Sequence, residues 1–283
     1  MKKIFTVLLS SVTAFCLAAC GKTDQTSSAE RKESFSFKFS THYDGDSETA
    51  KALTDYFNAV SEATDGHVSV FPIYGAGIAS PREVSRYVSL GIVEMGHMST
   101  QYDDTVFPLS DVVSLPMRGA DDNLKTTRLL YDLYDEFPEI RDEWDNNWKV
   151  LSIYTVPEKL LKGDLPQFGR RPDGIASVLS ICVNMDVWNS LPEEYRTAID
   201  AVSGRDRALV FAEAAAADLK KETDILEEFG YEYLSQDDPD HDEWRQACEA
   251  YGYVWGRTVL EQTKGAVDGE KLNYRSREIL AGY

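Results

Sequence analysis

The chain has 283 residues, of which 43% are hydrophobic and 27% are charged, and its formal net charge is −19 at pH 7. This composition is typical of a globular protein with one large domain or two lobes. The negative charge argues against non-specific binding to nucleic acid or anionic lipid, so an anionic ligand needs a local cluster of hydrogen-bond donors.

The first 34 residues predict an export signal and a tether. Two lysines precede an apolar stretch that is too short to span a bilayer. The motif Leu17-Ala18-Ala19-Cys20 resembles a bacterial lipobox, which predicts a lipoprotein signal peptide at 1–19 and a lipid on Cys20. An ordinary signal peptide with an incidental cysteine is the alternative. Residues 20–34 are too polar to pack and predict a flexible tether.

The segment from 35 to 99 predicts alternating strands and helices. Phenylalanines alternate with polar residues at its start, and HVSVFPIY and IVEMGHMS predict two more strands. One helix is expected to begin near Asp46 or Ser47, and a second has Ser80 as its N-cap, Pro81 at its first helical position and Glu83 as the third residue of a capping box. This βαβαβ order implies parallel strands and an α/β class.

The remaining chain predicts two long strands among many helices. Helices are expected at about 121–135 and 138–147, before the strands WKVLSIYTV and ASVLSICVNM. Ser190 and Glu193 then suit another capping box, Gly204 can divide the following helix, and YEYL predicts a short strand. We expect these domains: lobe 1 at 35–148 with 186–228 returning to it, a reduced lobe 2 at 149–185 and 229–262, and a C-terminal helix at 263–283.

The cysteines of the folded body allow at most one disulfide. Cys182 lies in an apolar run and Cys248 on a predicted helix, so two buried thiols and one bridge are both open.

No set of residues predicts catalysis or metal binding. No two of the four histidines have the spacing of metal ligands, and Gly-x-Ser-x-Gly, P-loop and dinucleotide motifs are missing from the sequence. We therefore expect no catalytic residue, no metal and no cofactor. An enzyme of unknown reaction remains the weakest alternative.

A binding cleft has better physical support. Ligands of open α/β sheets bind beyond the carboxyl ends of parallel strands, where the loops 41–47, 75–81 and 97–103 are predicted to lie. The first two loops lead into helix N-termini, whose free N–H groups can receive a carboxylate. Each polar residue there is also plausible as a simple turn or surface residue. The candidates are His42, Tyr43, Ser80, Ser99, Thr100 and Tyr102.

The order of motifs resembles the solute-binding subunit of tripartite ATP-independent periplasmic (TRAP) transporters, of the dicarboxylate type. The motifs are FKFSTHY, TDGHVSVFPIYGAGIASPREVSRYVSLGIVEMGHMS, FPLSDVVSLPM and VNMDVWNSLPEEYRTAI. The resemblance covers most of 35–155 and 178–283. It implies a type II periplasmic-binding-protein-like fold, in which two α/β lobes with long connecting helices close over one small carboxylate. It also implies ligand contacts at 41–43, Ser80, Ser99 and Asn184.

The chain departs from this family between its two long strands. Family members carry several tens of extra residues there, including an arginine that clamps the substrate carboxylate, so the second lobe is expected to be truncated. Arg170 and Arg171 form the nearest basic pair, and either can donate two hydrogen bonds to a carboxylate or remain a surface charge.

The resemblance implies transport across the cell envelope. We expect a monomer that is lipid-anchored in the periplasm or on the outer face of the membrane. It would deliver a small organic acid to TRAP membrane permease subunits and would not bind nucleic acid. A transport-incompetent lipoprotein that acts as an envelope interaction or sensor protein is the alternative.

Overall fold

A computed structural model describes residues 33–102, 107–117, 122–163, 170–171 and 174–283. The predicted signal peptide, Cys20 and nearly all of the tether lie outside these ranges. Within them, no helix combines the length and the apolar character needed to cross a membrane.

Strands and helices follow each other in the order that the spacing of the hydrophobic residues predicts. The strands are β1 Phe35–Ser40, β2 Val68–Ile73, β3 Met95–Ser99, β4 Trp148–Leu160 and β5 Gly174–Asn184. The helices are α1 Glu48–Ala63, α2 Val84–Ser89, α3 Asn123–Glu136, α4 Pro138–Asp145, α5 Met185–Ser190, α6 Glu193–Ala201, α7 Arg205–Glu228, α8 His241–Gln262 and α9 Gly269–Leu280. Short 3₁₀ turns occupy Thr100–Tyr102 and Ser110–Ser114.

The five strands form one mixed sheet with the order β2-β1-β3-β5-β4. Strand β1 is parallel to β2 and β3, which confirms the prediction from the βαβαβ pattern. Strand β5 is antiparallel to both β3 and β4. The long strands of the predicted second lobe thus run in the same sheet as β1–β3, and the predicted lobe boundaries stay a prediction.

The core fills both faces of the sheet. One apolar cluster, which includes Phe39, Tyr56 and Phe211, lies between the sheet and α1, α6 and α7. The other, which includes Met98 and Trp144, lies between the sheet and α2, α3, α4, α8 and α9. Because helices cover most of both faces, a ligand site is expected near the ends of the strands.

Two local expectations need correction, and one open alternative is decided. YEYL is not a strand, since only Tyr233 bridges Leu161 there. Ser190 does not cap α6: its hydroxyl donates to the carbonyl of Val187, and α6 begins after Pro192. The cysteine alternatives are settled, because Cys182 and Cys248 are both free and buried. Gly204 does separate α6 from α7, with a φ of 83° that favours glycine.

Candidate functional site

A cavity of about 830 Å³ lies at the carboxyl ends of β1 and β3. The loop after β1 contributes His42, Tyr43, Asp44, Asp46 and Ser47. The end of β3 contributes Ser99, Gln101 and Tyr102. The floor, from β4 and β5, contributes Val156, Ser177 and Leu179. The opposite wall is α7, which contributes Ala215, Asp218, Leu219, Lys221, Glu222 and Ile225.

Backbone hydrogen bonds hold the first loop in place at the sheet edge. The N–H of Gly75 donates to the carbonyl of Tyr43 at 2.8 Å, and that of Ala76 donates to Thr41 at 2.9 Å. These bonds tie the loop after β1 to the loop after β2. Two parallel strands therefore position the aromatic side of the cavity.

The floor combines apolar side chains with hydroxyl groups. Ser99 and Ser177 are only 5% and 4% exposed, yet both line the cavity. The Ser99 hydroxyl accepts from the N–H of Gln101 at 3.3 Å. The Ser177 hydroxyl makes no hydrogen bond with any described residue, so it is free to bind a ligand. Since Ser177 lines the cavity, its hydroxyl can bond to water there or to a ligand that displaces the water.

The first wall is a stack of rings. The ring centroids of His42 and Tyr43 are 4.6 Å apart, and those of His42 and Tyr102 are 6.5 Å apart. Behind them, the Tyr43 ring stacks on His97 with centroids 5.4 Å apart. The His42 imidazole makes no hydrogen bond within the described part of the chain, so its nitrogens are open to a ligand.

Buried hydrogen bonds fix His97 behind this wall. Its Nδ1 lies 3.1 Å from Thr41 Oγ1, and its Nε2 lies 2.7 Å from the Tyr154 hydroxyl. Burial, and then the nearby His42, lowers the pKa of His97 well below its ordinary value. Burial also lowers the pKa of His42. Both rings are therefore neutral at pH 7, and this wall carries no positive charge.

Helix α7 supplies an acidic side chain to the start of α1. The Asp218 carboxylate accepts from the N–H groups of Glu48 at 2.7 Å and Thr49 at 2.8 Å. Ser47 accepts from the N–H of Ala50 at 3.0 Å. The prediction that α1 offers free N–H groups to a ligand is thus wrong, because Asp218 and Ser47 already satisfy them.

The charged groups of the cavity are mostly acidic. Four carboxylates line it, from Asp44, Asp46, Asp218 and Glu222. Lys221 is the one cationic side chain among the described lining residues, and its ammonium lies 2.6 Å from Glu48 Oε1. The described part of the chain contains no group of three or more histidine, cysteine or acidic residues placed to hold a metal ion.

Of the nine residues named as candidate ligand contacts, four line the cavity, namely His42, Tyr43, Ser99 and Tyr102. The other five do not line it, and the hydroxyl of one of them, Thr100, accepts from the N–H of Val178 at 3.2 Å. Ser80 donates to Glu83 at 2.7 Å, in a turn before α2 rather than at its N-cap. Asn184 lies at the far end of β5, where its side chain caps α5 and donates to the carbonyl of Val88.

The two arginines of the shortened segment differ in their contacts. The Arg171 guanidinium lies 3.0 Å from Asp111 Oδ2 and donates to the carbonyls of Ser114 and Ala176. Arg170 is exposed. Neither is among the residues that line the cavity, and their contact with a ligand stays a prediction.

The sequence interpretation missed the whole α7 wall. Ala215, Asp218, Leu219, Glu222 and Ile225 recur at helical spacing, which places them on one face. The same spacing fits an ordinary packing face in an alanine-rich helix. Only the docking of α7 against α1 shows that this face borders the cavity.

Replacing Asp218 tests its role as the cap of α1. We expect Asp218→Asn to lower the free energy of unfolding by about 1–2 kcal/mol, because the neutral amide accepts fewer bonds and loses the favourable charge. Urea unfolding followed by circular dichroism measures this change. Glu213→Gln, on the exposed face of the same helix, is the control, and equal stabilities of the two variants would contradict the capping role.

No family model matches the chain, and no curated protein matches it. Solved structures do match. A TRAP solute-binding protein from a marine metagenome, described as specific for aromatic acids and solved with 3-hydroxybenzoate, is 13% identical. The match covers 89% of this chain and 99% of that chain, with a TM-score of 0.74.

Two further solved structures agree in fold. A TRAP periplasmic solute-binding protein from Desulfovibrio salexigens is 17% identical, with 88% and 96% of the two chains covered and a TM-score of 0.70. One from Bordetella bronchiseptica, with bound mandelate, is 15% identical, with 87% and 99% covered and a TM-score of 0.70. The chain therefore has the fold of TRAP periplasmic solute-binding proteins.

Proposed function

We propose that this chain is the extracytoplasmic solute-binding receptor of a TRAP-type secondary transporter. It captures one small organic acid in the cavity and delivers it to the membrane permease subunits. The observation that carries the proposal is the cavity itself, at the strand ends of a solute-receptor fold, with the unpaired Ser177 hydroxyl and the His42 ring facing into it.

The lining suits a small organic molecule with an apolar body. A volume of about 830 Å³ is within the ordinary range of ligand pockets. Val156, Leu179 and Leu219 offer apolar contacts, while the rings of Tyr43 and Tyr102 can pack on a flat ligand. The bound 3-hydroxybenzoate and mandelate of two proteins with this fold are consistent with such a ligand.

A carboxylate in this cavity needs a partner, and Arg82 is a candidate, although it does not itself line the cavity. Its guanidinium lies 5.5 Å from the centre of the Tyr102 ring, which lines the cavity. Arg82 forms no ion pair with any described residue, so its side chain can reorient towards a ligand carboxylate without breaking an ion pair. Arg170 and Arg171 stay candidates, but Arg171 would have to leave Asp111.

The location is proposed from the N-terminal sequence. The pattern of 1–19, followed by Cys20, supports export and attachment to a membrane by a lipid. The polar residues 20–34 would then hold the body of a monomeric receptor away from the membrane surface.

Thermal unfolding with a panel of small organic acids tests the proposal. A ligand at one hundred times its Kd should raise the free energy of unfolding by about 2.7 kcal/mol. Ser177→Ala and His42→Ala should each weaken that ligand's binding several-fold, since each removes a hydrogen-bonding group. Ser190→Ala, which is exposed and outside the cavity, is the matched control.

Two results would contradict this function. One is the absence of a stabilising acid across a broad panel, which would favour the transport-incompetent alternative. The other is a stabilising acid whose binding responds equally to Ser177→Ala and to Ser190→Ala.

A further inference from the structure

We infer that the solute carries a protonated nitrogen, and this inference rests on the proposed function. Combined with the proposed carboxylate, it identifies the solute as an amphoteric acid, such as an amino acid, rather than a plain mono- or dicarboxylate.

The uncompensated charge of the cavity is the first observation behind this inference. Asp44, Asp46 and Glu222 line the exposed rim of the cavity, and their carboxylates form no hydrogen bond or ion pair with any described residue. The ammonium of Lys221 is bound to Glu48 and lies near Asp46 and Asp218 as well. A plain acid would therefore enter a negative environment and be repelled, whereas a protonated nitrogen would be attracted.

The rings beside these carboxylates favour the same group. Asp44 and Glu222 line the same cavity as Tyr43. Burial raises the pKa of the Tyr43 phenol, and the negative charge of Glu222 acts in the same direction. Tyr43, His42 and Tyr102 line the cavity together. A cation is stabilised by the face of an aromatic ring as well as by a carboxylate, so one ammonium group can use both.

The hydroxyl of Ser177 independently indicates that the ligand has a second polar group besides the protonated nitrogen. Ser177 is 4% exposed, lines the floor and has no hydrogen-bond partner among the described residues. The free carboxylates lie elsewhere, on the loop after β1 and on α7. Polar groups of different character are thus placed on different sides of the cavity, as an amphoteric ligand requires.

Matched sets of three compounds test the inference by calorimetry at pH 7. One set is 3-phenylpropanoate, phenylalanine and 2-phenylethylamine, and another is butanoate, 4-aminobutanoate and butylamine. Within a set, the compounds share a skeleton and differ in carrying a carboxylate, both groups or an amine. We expect the aminated acid of a set to bind at least tenfold more tightly than the plain acid.

Charge-neutral variants connect that preference to the proposed residues. Asp44→Asn combined with Glu222→Gln should reduce the preference for the aminated acid at least threefold. Glu213→Gln, on the exposed face of α7, should leave the preference unchanged. An equal preference in the double variant and the wild-type protein would overturn the inference.

The outcomes separate this inference from the proposed function. If plain acids bind as tightly as their aminated forms, the inference fails and the receptor function stands. If the amine without a carboxylate binds most tightly, the protonated nitrogen is supported and the organic acid is rejected. If plain acids of the thermal-unfolding panel bind and no aminated acid does, the inference fails and the receptor function stands, whereas both proposals fail if no acid of either experiment binds.

Discussion

Gly269→Ala is expected to lower the free energy of unfolding by about 3 kcal/mol, because α8 and α9 meet backbone to backbone at this residue. A Cβ atom on Gly269 would collide with the Gly256 carbonyl oxygen and would lie 2.7 Å from the Gly256 Cα. Both atoms belong to the backbone, so no side-chain rotation relieves the collision. The helices must separate, which exposes part of the core cluster beneath them.

Urea unfolding of Gly269→Ala and of a matched control measures this effect. Gly163→Ala adds the same methyl group where nothing lies within 4 Å and should change the stability by less than about 1 kcal/mol. Similar stabilities of the two variants would show that α8 and α9 do not pack at this distance.

His97→Ala is expected to lower the free energy of unfolding by about 3–5 kcal/mol at pH 7. The substitution leaves an empty space in the core and removes buried hydrogen bonds. His97 is 1% exposed and its two ring nitrogens are bonded to Thr41 and Tyr154. Without the ring, the Tyr154 hydroxyl is left buried without this partner. Urea unfolding of the variant and the wild-type protein checks the loss.

The same variant should show how pH affects the wild-type protein. The native His97 ring stays neutral because burial and the neighbouring His42 lower its pKa, while the unfolded chain takes up a proton near pH 6.5. The contribution of His97 to the free energy of unfolding is therefore at its maximum well above pH 6.5 and decreases as the pH falls below 6.5. The gap between the wild-type protein and His97→Ala should narrow by about 2 kcal/mol from pH 7 to pH 5.

Unfolding titrations at pH 7, 6 and 5 measure this gap. His241→Ala, which removes a half-buried histidine at the start of α8, controls for the loss of one titrating imidazole from the unfolded chain. A gap for His97→Ala that stays constant with pH would show that the native ring takes up its proton over the same pH range as the unfolded chain, which contradicts the prediction.

The local elements could largely be predicted from the sequence. The period-two pattern at Phe35–Phe39 is β1, and the expected helix start near Ser47 is the N-cap of α1. Such features depend on residues within one or two turns of each other. Pro81 and Glu83 were less reliable signals, because α2 begins only at Val84, after a turn in which Ser80 binds Glu83.

Only the side of the candidate site that is formed by the loops after β1 and β3 could be predicted from the sequence. His42, Tyr43, Ser99 and Tyr102 follow strands whose parallel order is visible in the sequence, so their convergence was foreseeable. Asp218 and Glu222 were missed, as was the free hydroxyl of Ser177. Nothing near these residues in the chain distinguishes them from ordinary helix and strand positions.

The sequence by itself determined the α/β class, the parallel β1–β3 unit and the aromatic loop at its edge, since these follow from periodicity and local capping. The tertiary structure alone decided which groups close the cavity. Asp218 reaches the first turn of α1 from 170 residues further along the chain and occupies the N–H groups that local reasoning left for a ligand. The N–H groups at the start of a helix stay available to a ligand unless a distant part of the chain packs a hydrogen-bond acceptor against them. Here that acceptor is the carboxylate of Asp218.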